Sequence, residues 1–86
     1  MPDDQLRQTV LDALTGVAPE IDSDTLNPDV NFRDQAELDS VDYLNFVLAL
    51  EKALGVQVPE QDYPRLSSLN GCLDYLAKLQ RRAPLR

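Results

Sequence analysis

One run constrains the fold of this chain more than any other: E-L-D-S-V-D-Y-L-N-F-V-L-A-L-E-K-A-L-G, Glu37 to Gly55. Its apolar residues recur at helical rather than alternating spacing, and it carries no helix breaker before Gly55, a normal C-terminal terminator. The spacing predicts a helix over about 40–54. On a wheel of about 100° per residue, Phe46, Val47, Leu50, Ala53 and Leu54 share one arc, which is expected to face a core. Val41, Leu44 and Leu48 form a separate stripe beside the polar edge of Asp42, Asn45 and Lys52. A helix with two apolar stripes either touches its own domain on two sides or keeps one side for something else. On sequence alone both readings stand: the second stripe meets the long loop before it, or it is a docking ridge that starts at Ser40.

The rest of the chain supplies partners for such a helix. Asp3 or Asp4 can cap a first helix, about 4–16, with Leu6, Val10, Leu14 and Val17 at helical spacing and Gly16 as its stop. A long connection, about 17–38, holds Pro19, Pro28 and several Asp and Asn residues, so turns are favoured over any regular element. Ile21, Leu26, Val30, Phe32 and Leu38 are expected to pin it to the core. After an extended link at Val56–Pro59 comes a short, mobile helix over about 60–66, in which Pro64 should permit a single turn only. Ser67 or Ser68 offers a cap for a last helix over about 68–82, with Leu69, Cys72, Leu73, Leu76 and Leu79 as its buried stripe and Pro84 at its end. Lys78, Arg81 and Arg82 suit its C-terminal dipole. Gly71 inside it costs about 1 kcal/mol against alanine, which implies close packing by some neighbour. The expectation is an all-α fold: a single domain, residues 1–86, forming a small four-helix up-and-down bundle of three main helices and a short one.

Composition narrows the function classes. At 86 residues the chain can bury roughly 60% of its extended surface, enough for one core. A net charge of -7 without histidine argues against nucleic acid, which needs clustered Lys and Arg, and favours basic partners. Residues 1–42 carry eleven acids against Arg7 and Arg33, while residues 43–86 carry four acids against six bases. The acidic pole therefore includes Ser40. A single cysteine, Cys72, excludes an internal disulfide and, with no histidine, a Cys/His zinc site. Its spacing places it in the core. No constellation of catalytic residues, metal ligands or phosphate-binding glycines occurs, so no enzymatic activity, catalytic residue or metal is expected. Tyr43, Tyr63 and Tyr75 read as packing residues with wet hydroxyls. The start of the chain lacks the marks of a secretion signal and no apolar run reaches membrane-spanning length, which points to a cytoplasmic protein.

Serine at a helix start is ordinarily a cap, but the neighbours of Ser40 offer another assignment. With Asp39 as cap, Asp42 falls at the third helical position, an acidic approximation to the capping box, and both carboxylates lie at the positive end of the dipole. Ser40 then has a hydroxyl that the backbone does not need. A phosphodiester on that oxygen would gain on the order of 0.3–1 kcal/mol from the helix terminus, and repulsion from Asp39 and Asp42 would oppose it by a similar amount. The charges permit the modification without requiring it.

D-S-V-D-Y-L, Asp39 to Leu44, resembles the phosphopantetheine attachment motif of acyl carrier proteins, in which an Asp-Ser-Leu-like triplet opens the second of four helices. The likeness extends over nearly the whole chain, through F-R-D at Phe32–Asp34, A-L-E-K-A-L-G, the V-P-E near Pro59 and L-N-G-C-L-D-Y-L. The resemblance implies that a phosphopantetheinyl transferase, using coenzyme A, modifies Ser40 with a 4'-phosphopantetheine arm. Acyl groups would ride on its thiol as thioesters. It also implies that Asp39, Val41, Asp42, Leu44, Leu48 and Glu51 are read by partners: the transferase, an acyl-loading ligase or transferase, and an acyl-using synthase. Asp42 is expected on an exposed rim, and the chain is expected to be a monomer.

Departures from the family pattern set the finer reading. Asn45 and Lys52 stand where members of primary fatty acid synthesis are often acidic, and Tyr43 and Phe46 add aromatic bulk. Glu37-Leu38-Asp39 replaces the G-G-H or G-G-D of peptidyl carriers. These favour an acyl or aminoacyl carrier with dedicated enzymes of fatty acid, polyketide or related biosynthesis. An unmodified helical adaptor, or a peptidyl carrier of a nonribosomal-type pathway, remains the alternative.

Overall fold

A computed structural model describes the backbone of residues 3–82 and the side chains of residues 4–79. The chain forms an all-α bundle: α1 (Asp3–Val17), α2 (Phe32–Gln35), α3 (Ser40–Leu54), a 3-10 helix (Glu60–Leu66) and α4 (Leu69–Arg82). Helix α1 packs against both α3 and α4, and the 3-10 helix packs against α4.

The core follows the helical stripes. Leu6, Val10 and Leu14 of α1, Phe46, Val47 and Leu50 of α3, and Leu69, Cys72 and Leu76 of α4 are all buried. Leu11 widens the α1 stripe beyond the expected residues, and Ala18, just past the end of the helix, is buried as well. Phe32 meets Phe46 edge to face, ring centroids 5.4 Å apart, a geometry that adds specificity to the burial. Leu54, Leu73 and Leu79 pack on the margin of this cluster. Ala53, at the edge of the predicted arc, is exposed.

Several elements differ from the sequence reading, each for a local reason. Asp3 and Asp4 lie inside the first turn of α1, and the position that would cap it lies outside the described residues, as does Pro84. Gly16 does not stop α1: with Ala18 buried, the amide N-H of Ala18 continues the ladder to the Leu14 carbonyl at 2.9 Å. Pro19 then disfavours further helix. Within the long connection the chain forms α2, because Asn31 caps it by accepting the Arg33 N-H at 2.8 Å and Phe32 is buried. Pro64 lies inside a seven-residue 3-10 helix, where it forfeits a single backbone bond.

Of the expected loop pins, Phe32 and Leu38 are buried, Ile21 and Leu26 pack against the core, and Val30 is half-buried. Polar bonds complete the fastening. The Gln35 side-chain amide donates to the Asn27 and Val30 carbonyls, both at 2.8 Å, and its oxygen accepts the Asn27 N-H at 2.8 Å. The Phe32 N-H donates to the Ser67 carbonyl at 2.7 Å, and the Asn70 N-H to the Pro28 carbonyl at 2.9 Å. Ser68 caps α4 through the Gly71 N-H at 3.1 Å. A β-carbon at Gly71 would stand 2.8 Å from the Arg65 carbonyl oxygen, so the close neighbour is the end of the 3-10 helix.

Candidate functional site around Ser40

The start of α3 is built by Asp39. Its backbone is extended, and its carboxylate accepts the Asp42 N-H at 2.8 Å. Asp42 returns a long contact, 3.5 Å, to the Asp39 N-H. The capping box is therefore closed by two aspartates, and the Asp42 side chain is half-buried rather than on a fully exposed rim. Ser40 follows as the first helical residue and is exposed. Among the described residues its hydroxyl takes part in no hydrogen bond, because the cap belongs to Asp39.

An open cleft of about 450 Å³ lies beside this hydroxyl, bounded by Arg33 of α2, Tyr43 and Leu44 of α3, and Glu60 and Tyr63 of the 3-10 helix. The Tyr43 O-H donates to the Tyr63 carbonyl and joins α3 to the 3-10 helix. Burial is the main cause pushing the Tyr43 phenol up to about 12, partly offset by the nearby Arg33 charge. Its hydroxyl is thus engaged by protein rather than wet. The same holds for Tyr75, whose O-H donates to Asp62 at 2.8 Å. Cys72 is buried, its thiol held protonated by burial and donating to the Leu66 carbonyl at 3.3 Å.

Along α3 from Ser40 runs the second apolar stripe, and it is uncovered. Val41, Leu44 and Leu48 are 64%, 42% and 47% exposed, and they are the exposed large hydrophobic side chains among the described residues. The long connection does not cover them. Of the residues expected to be read by partners, Asp39, Val41, Leu44 and Leu48 are exposed, and Asp42 and Glu51 are half-buried. Glu51 differs from the others: its carboxylate accepts the Val58 N-H at 2.7 Å and so anchors the link after α3. The sequence reading assigned no role to Arg33, although a base within the acidic pole was a visible signal. Its place beside Ser40 depends on how α2 folds, which the sequence reading did not anticipate.

The sequence model described as "Phosphopantetheine attachment site" matches residues 4–76. A protein named acyl carrier protein from Syntrophobacter fumaroxidans is 34% identical over 58 residues, 67% of this chain and 72% of that one. The chain belongs to the acyl carrier protein family. Another acyl carrier protein, from Chlorobium phaeobacteroides, is 27% identical over 78 residues, 91% of this chain and 99% of that one. The fold matches the solved structure of acyl carrier protein from Enterococcus faecalis with a TM-score of 0.75 at 21% identity, covering 93% of this chain and 100% of that one.

As a family member the protein is a carrier and not an enzyme, and it bears a covalent 4'-phosphopantetheine group. The residues around Ser40 fit that group: a free, exposed hydroxyl, the positive end of a 15-residue helix and an open cleft alongside. Family membership also implies work with a phosphopantetheinyl transferase and with acyl-handling enzymes. No helix among the described residues is long and apolar enough to cross a membrane.

Proposed function

We propose that Ser40 is the attachment residue, and that the protein presents acyl or aminoacyl thioesters from that point to a dedicated set of biosynthetic enzymes. The observation that carries this reading is the division of labour at the helix start. Asp39 satisfies the Asp42 N-H, so the Ser40 oxygen stays available to attack coenzyme A. The oxygen attacks the pantetheine-side phosphorus: a new ester bond to phosphorus forms as the pyrophosphate link of coenzyme A breaks, adenosine 3',5'-bisphosphate departs, and the hydroxyl proton leaves to the transferase. When bound, the arm supplies a thiol that holds the acyl group as a thioester. The protein's part is to display that arm and to be recognised.

The recognition surface, in this reading, is the ridge of Val41, Leu44 and Leu48 with Asp39 and Asp42 at its head and the Glu51 charge toward its far end. Acidic groups steer basic partners, namely the transferase, a loading enzyme and a synthase, and the exposed apolar stripe holds them. Residues 1–86 act as one carrier domain, as a monomer, in the cytoplasm. Fatty acid, polyketide or related biosynthesis is the setting.

Intact mass spectrometry after incubation with coenzyme A and a broad-specificity phosphopantetheinyl transferase tests the attachment. The wild type should gain one phosphopantetheinyl group and Ser40→Ala none. A gain that persists in Ser40→Ala would place the arm elsewhere and overturn the assignment.

A further inference from the structure

The cleft beside Ser40 is lined by a cation, Arg33. Arg33 is exposed, lines the cleft together with Ser40 and Tyr43, and forms no salt bridge among the described residues. It is one of two bases within residues 1–42, against eleven acids, and the other, Arg7, belongs to α1. An arginine in such a field, placed at one cleft and left unpaired, is set up to meet an anion there.

Three contacts hold the backbone that carries it. Asn31 accepts the Arg33 N-H at 2.8 Å. The neighbouring Phe32 is fully buried against Phe46 of α3, 5.4 Å between centroids, and its N-H donates to Ser67 at 2.7 Å. Helix α2 is therefore tied both to α3 and to the segment before α4, and from it Arg33 lines the cleft that Ser40 borders. Its field reaches the cleft wall, where it lowers the Tyr43 phenol against the larger upward push of burial.

A phosphodiester on Ser40 needs such a partner. Asp39 and Asp42 flank the attachment point and repel a second anion, and the helix terminus offsets this only by a similar amount. A guanidinium matches phosphate oxygens in charge and in planar, bidentate geometry. Glu60, on the 3-10 side of the cleft, would push the phosphate toward the α2 side.

We infer that Arg33 pairs with the phosphodiester of the arm carried on Ser40 and holds the first link of that arm over the cleft, leaving Val41 and Leu48, which do not line it, free for partners. The inference rests on Ser40 being the attachment residue. An enzyme that draws the arm into its own active site would have to break this pair, so salt should loosen the arm.

The test is nuclear magnetic resonance on the full chain before and after loading, with loading verified by intact mass. The probes are the arginine side-chain Nε-H signals and the phosphorus signal of the arm. Arg33 is assigned by Arg33→Gln, which keeps the backbone N-H that Asn31 accepts. The expected result is that the Arg33 Nε-H signal moves on loading and returns toward its unloaded position at about 1 M salt, where the screening length is about 3 Å. The phosphorus signal of loaded Arg33→Gln should differ from that of the loaded wild type. A verified loaded protein whose Arg33 signal does not move, with identical phosphorus signals in both, overturns the inference and leaves the attachment reading intact. Absence of any mass gain in the wild type overturns both.

Discussion

Asp39 is the residue at which structure and recognition can be pulled apart. Its carboxylate makes the 2.8 Å cap to the Asp42 N-H, and its charge stands exposed next to Ser40. Asp39→Ala removes both functions, whereas Asp39→Ser keeps a capping oxygen and removes the charge. Losing the cap costs about 1 kcal/mol, and losing the charge at the helix terminus about 0.5 kcal/mol more. A domain of this size melts about 4–8 °C lower per kcal/mol. Asp39→Ala should therefore melt about 6–12 °C lower and Asp39→Ser about 2–4 °C lower, read by circular dichroism. With stability of about 5 kcal/mol, even the alanine variant stays more than about 99% folded at 25 °C. Loading rates at that temperature thus report on the surface and not on unfolding. Both variants should load several-fold more slowly, because the transferase meets a weaker acidic pole. Equal melting of the two would refute the cap, and wild-type loading by Asp39→Ser would refute the role of the charge. Asp42 is a poorer probe, since it is half-buried and closes the same capping box.

Val41→Ala and Leu48→Ala should change stability by no more than about 0.5 kcal/mol, as exposed positions do, while weakening partner binding by calorimetry. Phe46→Ala, at a fully buried position, should cost about 3–5 kcal/mol. Gly71→Ala gains about 1 kcal/mol of helix propensity, but its β-carbon would meet a backbone carbonyl at 2.8 Å. Overpacking of about 1–3 kcal/mol outweighs that gain, and a lower melting temperature is the expected sign. Stability should fall as the pH rises above about 10, because the unfolded phenol ionises there while Tyr43 stays protonated up to about 12. The buried Cys72 thiol acts in the same direction. Tyr43→Phe should flatten the upper part of that fall in pH-dependent melting curves.

Much of this was legible in the sequence. Periodicity alone identified Phe46, Val47 and Leu50 as core and set Val41, Leu44 and Leu48 apart, because a helix fixes the direction of each side chain once it forms. Whether the second stripe was covered depended on tertiary placement, which no local rule reports. The close neighbour of Gly71 was likewise implied by the cost of a mid-helix glycine, but only the fold shows it to be the Arg65 carbonyl. Tyr43 and Tyr75 were misjudged because their hydroxyl partners lie 20 and 13 residues away. Helix α2 was missed because a four-residue helix has too little periodicity to be seen, and with it went the placement of Arg33.

The ridge on α3 is open in part because the long connection before it is fastened elsewhere. The connection between α1 and α3 is tied toward α4, through Phe32 to Ser67 and Asn70 to Pro28. The Asn70 N-H is among the first amides of α4, which have no partner within their own helix, so this tie satisfies the loop and the helix at once. Gln35 then fixes the loop to itself through three bonds of 2.8 Å each. Two of the three are exposed, so Gln35→Ala should cost about 1–2 kcal/mol rather than the full sum of three buried bonds. Its clearer effect should be local. Amide exchange over residues 22–31 should quicken in Gln35→Ala while the amides of Phe46–Leu50 keep their protection, since the latter open only with the core. A uniform quickening through α3 would show that the connection and the core open as one unit, and that the loop is held by packing and not by the glutamine. If the exchange is local, a released loop is free to settle on Val41 and Leu48, and partner binding should weaken in Gln35→Ala although no residue of the ridge has changed.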